Sequence, residues 1–423
     1  MDRFLIHGPC TLSGSVGVSG AKNAVLPLMA ATLLTRGISR IENVPNLRDT
    51  RTMGRVLETL GARVERENGT LIVDTSGVDQ VEAPYELVKT MRASVYVLGP
   101  LLSAMGMARV SLPGGCAWGP RPIDLHLKGM EMLGASVELQ GGYIVAKRPG
   151  ARLKGGTMDF STSSVGATAN VLMASVLAEG TTVLENAARE PEVGQLAEAL
   201  VASGAKIEGI DTTRLSIEGV KELAPLNIRV IPDRIEAGTY LTAAAILRSK
   251  LRVDKVRPEH LGATLEVLES CGCEFETSSD SIQVDGRNAE KPLNVVTRPF
   301  PGFATDMQAQ TMAVATRLGG ISVITDTIYP DRFTHVAELR RLGADIRLDG
   351  NSAVIKGVEK LSGAPVMATD LRASAALILA GLAANGETLV DRIYHIDRGY
   401  EQIEKKLAAL GAKIERIPGP PTP

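Results

Sequence analysis

The stretch RFTHVAELRRLGADIRLDG (Arg332–Gly350) decides how this chain is read. Val336, Leu339 and Leu342 recur at helical spacing, so its first part predicts an amphipathic helix. The helix should stop at Leu342-Gly343-Ala344, because glycine suits the residue just past a helix C-terminus. A short alternating run, DIRLD, then reads as a strand. The same tail occurs six times: LGARVER at Leu60, LGASVEL at Leu133, SGAKIEG at Ser203, CGCEFET at Cys271, LGADIRL at Leu342 and LGAKIER at Leu410. The glycines at 61, 134, 204, 272, 343 and 411 are spaced by 73, 70, 68, 71 and 68 residues. A period this regular predicts one supersecondary unit used six times.

Working outward, an arginine stands ahead of each tail: Arg48, Arg121, Arg189, Arg257, Arg332 and Arg398. Further upstream each unit opens with a small-residue-rich segment. These begin near Ser19 (SGAKNAVLPLMAATLL), Met91 (MRASVYVLGPLLSAMG), Ser163 (SSVGATANVLMASVLAEG), Asp233 (DRIEAGTYLTAAAILRSK), Thr305 (TDMQAQTMAVATRLGG) and Thr369 (TDLRASAALILAGLAANG). Past the first few residues each is apolar nearly all round, which predicts a buried helix. The polar residues gather at the N-terminus, where backbone N–H groups lack partners and the helix dipole is positive. The chain begins out of phase, and residues 1–20 are expected to complete the final unit. Three units per globule then give one domain at 21–229 and another from 1–20 plus 230–423. Ligands are expected in a cleft between them.

The totals narrow the class. Hydrophobic residues make up 44% of the 423 and aromatics only 3%, so the cores must be built from Ala, Val, Leu, Ile and Met. A net charge of −2 argues against a broad nucleic-acid-binding surface. No apolar run approaches the roughly 18 residues of a membrane span, and the start MDRFLIHGPC lacks a signal-peptide pattern. Cys10, Cys116, Cys271 and Cys273 form neither a disulfide framework nor a zinc pattern. Histidines such as His126, His335 and His395 lack paired ligand spacing, so no metal is expected. The expectation is a cytoplasmic protein with free thiols and a disordered PGPPTP end.

Several longer motifs resemble the enolpyruvyl transferase family. They are GAKNAVLP (Gly20–Pro27), GGCAWGPRPIDLH (Gly114–His126), SVGAT (Ser164–Thr168), ENAAREPEV (Glu185–Val193), TDMQAQ (Thr305–Gln310), RFTHVAELRRLGA (Arg332–Ala344), KLSGAPVMATDLRASAALILAG (Lys360–Gly381) and DRIYHIDRGYE (Asp391–Glu401). The resemblance covers essentially the whole chain. It implies two inside-out α/β barrel domains, each of three repeated βαβαββ-type units. It implies transfer of the enolpyruvyl group of phosphoenolpyruvate to the 3′-hydroxyl of UDP-N-acetylglucosamine with release of phosphate. No cofactor, nucleic acid or membrane is implied.

Two substrates carrying phosphate, carboxylate and diphosphate need several cations, preferably Arg where bidentate geometry matters. The resemblance assigns Lys22, Arg121 and Arg398 to the phosphoenolpyruvate phosphate, with Arg332 and Arg372 at its carboxylate and Arg92 as a further cation. Asn23 resembles a residue that touches both ligands. The plainer reading pairs each Arg with a nearby carboxylate, Asp370 for Arg372 and Asp331 for Arg332. By the resemblance Cys116, in a glycine-rich loop, is the general acid that protonates the phosphoenolpyruvate methylene and is open to alkylation. Asp306 accepts the sugar hydroxyl proton; its plainer role is helix capping, which Thr305 could take over. Arg121, Pro122, Ile123, Asp124 and Leu125 resemble the segment that clasps uridine and diphosphate. Ser163, Ser164, Val165 and Gly166 offer hydroxyls and helix amides to the diphosphate. Ile328 matches a backbone position near the sugar, and Asp370 belongs to the same site. Two alternatives stand beside this reading: the sister transferase acting on 3-phosphoshikimate, which lacks the Cys116 loop, and a non-catalytic sugar-nucleotide-binding paralogue.

Overall fold

The computed structural model describes residues 2–89, 91–112 and 123–419. It resolves into two compact units, Gly20–Ile231 and Met1–Ser19 with Pro232–Pro423. Each unit holds three sheets built to one plan. In the fifth repeat the edge strand Asn294–Val296 runs parallel to Ile321–Thr325. Ile321–Thr325 pairs antiparallel with Ser352–Lys356, which pairs antiparallel with Asp345–Asp349. Strand Asp345–Asp349 directly follows the LGA tail and strand Ser352–Lys356 returns along it, so the tail starts a hairpin as its alternation predicts.

The second, third and fifth repeats draw all four strands from consecutive chain. The first borrows its edge strand, Asn227–Arg229, from the end of its unit. The N-terminal segment is shared between two repeats. Arg3–Gly8 lies between Ala384–Asp391 and Lys413–Ile417 and completes the sixth sheet. Ser15–Gly17, however, pairs with Lys250–Asp254 and is the edge strand of the fourth. The expectation that residues 1–20 all complete the final unit is corrected at this point. The fourth repeat, first after the return from the inserted unit, has no preceding strand of its own.

Inside the sheets lie six core helices: Lys22–Ala31, Leu98–Met105, Val165–Ser175, Arg234–Ile246, Gln308–Ala315 and Leu371–Ala383. In the sixth every residue is buried, and in the fourth every residue after Arg234 is. Small residues let these helices approach closely. A Cβ on Gly99 would stand 2.3 Å from the Asn170 backbone carbonyl oxygen of the third helix, so the second and third helices meet backbone to backbone. The tail glycines sit just past the amphipathic helices with φ between 87 and 110°, the left-handed conformation that ends a helix. Among the described residues no helix is long and apolar enough to cross a membrane.

Candidate active site

In the unit containing the C-terminus, chemistry gathers where the fifth and sixth core helices begin. Thr305–Met307 forms a single 3-10 turn ahead of Gln308–Ala315 and has no side-chain cap. Asp306 on this turn receives two guanidinium groups. Arg332 Nη1 lies 2.8 Å from its Oδ1, and Arg372 Nη2 lies 2.8 Å from its Oδ2. Both arginines are buried, while the carboxylate keeps a quarter of its surface exposed. Burial alone would raise the Asp306 pKa. The charges and hydrogen bonds of Arg372 and Arg332 outweigh it and hold the carboxyl well below its ordinary range. The expected pairs, Asp331 with Arg332 and Asp370 with Arg372, are replaced by this shared partner. Asp370 is occupied elsewhere: its Oδ1 accepts the amides of Arg372 at 2.8 Å and Ala373 at 3.1 Å, capping the sixth helix. Its burial pushes the carboxyl pKa upward despite those bonds and the nearby charge of Arg332.

Thr305 does not cap its helix either. Its hydroxyl donates to Asp326 Oδ2 at 2.7 Å and accepts from Arg332 Nη1 at 3.0 Å. Ile328, half-exposed, is tied into the same cluster by its amide, which donates to Asp326 Oδ1 at 3.0 Å. The guanidinium of Arg372 stands 5.5 Å from the ring centre of buried Tyr400. Arg398 ends the turn Ile393–Arg398. That turn packs on the sixth helix, and a Cβ on the next residue, Gly399, would lie 2.6 Å from Leu371. His335 is fully buried beside Arg332, and burial with that charge lowers its pKa to about 3.

The unit Gly20–Ile231 holds the second group of residues. Lys22 is the first residue of its core helix, and its ammonium lies 3.2 Å from the buried Asp49 carboxylate on the helix Arg48–Thr59. Asn23 follows it, half-buried. Arg92 opens the turn Arg92–Val97, which packs against the first core helix. Ile123 precedes the helix Asp124–Met132, where exposed Asp124 faces Lys128 at 3.7 Å and Leu125 is half-buried. Ser164 caps the third core helix by accepting from the Ala167 amide at 3.3 Å. Ser163, Val165 and Gly166 are half-buried around that cap. Cys116, Arg121 and Pro122 lie outside the described residues.

Sequence reasoning weighed His126 only as a metal ligand and passed over Asn170. Asn170 accepts the Gly99 amide at 2.7 Å through Oδ1 and donates to the Val95 carbonyl at 2.8 Å through Nδ2, so its amide orientation is settled. The same Nδ2 lies 3.1 Å from His126 Nδ1, which must therefore accept, leaving the imidazole proton on Nε2. The Cε1–Nε2 edge lies against Gly166, where a Cβ would be 3.2 Å from Nε2. Burial lowers the His126 pKa to about 4; Asp124 opposes the shift and Arg92 adds to it. In the sequence His126 ends the Gly114–His126 motif, with nothing there to pair it with Asn170. Among the described residues no group of three or more His, Cys, Asp or Glu is placed to hold a metal ion.

The sequence matches the family described as EPSP synthase (3-phosphoshikimate 1-carboxyvinyltransferase) over residues 6–407. The chain belongs to this enolpyruvyl transferase family. Among its relatives is a UDP-N-acetylglucosamine 1-carboxyvinyltransferase of Geobacter metallireducens, 54% identical over 417 residues, covering 99% of this chain and all of that one. The protein of the same name from Trichlorobacter lovleyi is 53% identical over 422 residues, with 99% and 100% covered. The crystal structure of the enolpyruvyl transferase NikO from Streptomyces tendae superposes with a TM-score of 0.88 at 28% identity, covering 99% of each chain. An EPSP synthase from Acinetobacter baumannii, at 18% identity and TM-score 0.74 over 99% and 100% of the two chains, shares the fold. Enolpyruvyl transferases thus supply the frame in which the Asp306 cluster and the Lys22 cluster are to be understood.

Proposed function

We infer that this chain transfers the enolpyruvyl group of phosphoenolpyruvate to the 3′-hydroxyl of UDP-N-acetylglucosamine, releasing phosphate, at the entry to peptidoglycan precursor synthesis. The observation that carries this reading is 53–54% identity, end to end, to relatives bearing that activity in their names. The cation clusters support it: Lys22, Arg92, Arg332, Arg372 and Arg398 suit a pair of ligands carrying phosphate and carboxylate groups. The reaction uses only diffusible substrates, and we assign it to the cytoplasm, where cell-wall growth and hence cell shape and division draw on its product.

In the proposed mechanism Cys116 protonates the methylene carbon of phosphoenolpyruvate, and the 3′-oxygen attacks the electron-poor C2. Asp306 takes the hydroxyl proton. Loss of a methyl proton then restores the double bond as the C2–O bond to phosphate breaks. A carboxylate held down by two guanidinium groups is a weak base. The phosphoenolpyruvate carboxylate, attracted to Arg332 and Arg372, would compete with Asp306 for them and so make it more basic when substrate is present. Lys22, Arg121 and Arg398 hold the phosphate, and Asn23 touches both ligands. The segment Arg121–Leu125, Ser163–Gly166 and the Ile328 backbone hold the sugar nucleotide, while Asp370 acts by capping the helix that carries Arg372. Cys116 is, on this reading, the residue alkylated by fosfomycin.

A phosphate-release assay with purified protein, phosphoenolpyruvate and either acceptor tests the reading. Release is expected with UDP-N-acetylglucosamine and not with 3-phosphoshikimate. The reverse result would assign the sister activity, and no release with either would make the protein a non-catalytic binder.

A further inference from the structure

In every repeat one strand has the parallel edge strand on one side and an antiparallel strand on the other. The residues that follow it are Asn43, Leu112, Asn186, Lys255, Asp326 and Arg392. Asn43, Asn186, Lys255 and Arg392 turn the chain with φ of 58, 53, 58 and 59°. The two asparagines also donate from Nδ2 to the carbonyl just beyond the edge strand, Val230 at 2.9 Å and Phe160 at 2.7 Å. Asparagine tolerates this left-handed conformation, so its use here is structural.

The fifth repeat departs from that pattern. Asp326 is fully buried, and its φ lies outside the left-handed region. A carboxylate has no hydrogen to donate, so the bond to the edge strand reverses: the Thr297 hydroxyl donates to Oδ1 at 2.8 Å. The amides of Ile328 and Tyr329 donate to the same oxygen at 3.0 and 2.7 Å. Oδ2 receives the Thr305 hydroxyl at 2.7 Å.

The last bond sets a polarity. A hydroxyl carries one hydrogen. With that hydrogen committed to Asp326, the Thr305 oxygen faces Arg332 only as an acceptor, at 3.0 Å from Nη1. The same Nη1 reaches Asp306 Oδ1 at 2.8 Å. An asparagine at 326 could still serve the two loop amides through its single oxygen. Its NH2, however, would point at Thr305 and release the hydroxyl hydrogen to rotate, so the oxygen would no longer be held as an acceptor toward the guanidinium. The loop alone does not call for a carboxylate; what the carboxylate adds is the fixed direction of the Thr305 hydroxyl.

We propose that Asp326 is a positioning residue: by fixing the Thr305 hydroxyl as an acceptor, it aims Arg332 at Asp306 and ties that pair to the loop carrying Ile328. The inference rests on the reading of Asp306 as the group that takes the hydroxyl proton.

The test compares Asp326→Asn, Thr305→Val and Thr305→Ser in the full chain, by phosphate release, thermal unfolding and crystal structure. The Asn and Val variants should lose roughly tenfold to a hundredfold in kcat through misplacement of the site, with KM for UDP-N-acetylglucosamine within about threefold of wild type. Thr305→Ser keeps the hydroxyl and should recover most of the loss. Combining Asp326→Asn with Thr305→Val should cost no more turnover than Asp326→Asn alone. In the Asp326→Asn structure the Arg332 guanidinium should have left Asp306. Wild-type kcat in Thr305→Val, or a Ser variant as slow as the Val variant, would overturn the proposal. If wild-type protein releases no phosphate with this acceptor, the functional reading fails separately. The Asp326→Asn structure still decides the proposal then, since an undisturbed Arg332–Asp306 pair would sink it.

Discussion

The dipeptide Thr-Asp opens two core helices of one unit and is used in opposite ways. Asp370 turns back on its own helix and accepts two of its first amides. Asp306 turns away from its helix and spends both oxygens on Arg332 and Arg372. The pKa values move apart accordingly, Asp370 upward through burial and Asp306 downward under two cations. The Thr-Asp pair is the same, so what surrounds it makes the difference. Arg372 sits two residues beyond Asp370, yet its guanidinium reaches over to the fifth helix. The pattern extends to the other openings. Ser164, Asp233 and Asp370 cap their helices with side chains. The segments opening at Lys22, Arg92 and Thr305 have no such cap. Those three carry Lys22, Asn23, Arg92 and Asp306, four of the residues proposed for the substrates.

The largest effect that could break this contrast is on turnover. Asp306→Asn keeps the shape but cannot take a proton, and phosphate release should fall ~10²–10⁴-fold with substrate binding retained. A loss under about tenfold would reduce Asp306 to an anchor for arginine. Next comes Arg372→Met, which leaves one buried cation beside Asp306 where there were two. Breaking a buried ion pair from one side typically costs about 3–5 kcal/mol, and denaturant unfolding should show a loss of that order. Unchanged stability would mean that Arg372 is held for ligand and contributes nothing to the fold.

Acid titration sharpens the contrast further. Asp306 has a folded pKa below its unfolded value, so its stabilising contribution is present above the ordinary range near 3.8 and is lost as pH falls toward the folded value. Asp370 has a raised folded pKa, so the folded state takes up its proton first and gains relative stability on acidification. Carbon-detected NMR of the carboxyl groups should show Asp370 protonating at higher pH than Asp306, and the reverse order would refute the assignment. The smallest effect belongs to the cap itself. Asp370→Ala should lower stability by about 0.5–2 kcal/mol, and a destabilisation well beyond that would show Asp370 bonded to more than its helix.

The repeat was legible because backbone chemistry enforces it. Gly61, Gly134, Gly204, Gly272, Gly343 and Gly411 all hold left-handed φ, which few other residues tolerate. The core helices were legible from their uninterrupted small apolar residues. Strand partners were less so: nothing in SVG at Ser15–Gly17 tells it from RFLIHG at Arg3–Gly8 as a partner for the last repeat, since parallel pairing to Lys250–Asp254 is a matter of topology. The candidate site was legible as residue types and not as pairs. Arg332 and Arg372 stood out as cations, but their common partner Asp306 lies 26 and 66 positions away along the chain. Asp326 could not be singled out, because its meaning comes from a comparison with Asn43 and Asn186 that only aligned sheets permit.

The strand Arg3–Gly8 leaves the ribosome long before its two neighbours, Ala384–Asp391 and Lys413–Ile417. Ser15–Gly17 must also wait, for Lys250–Asp254. The unit Gly20–Ile231 has no such debt, since its borrowed edge strand Asn227–Arg229 arrives within its own span. During vectorial synthesis, where domains fold largely as units and the earlier ones first, the inserted unit can be finished while the outer one is still half made. The strand Arg3–Gly8 therefore waits for its partners while the inserted unit is made, and its sheet closes only when Lys413–Ile417 emerges.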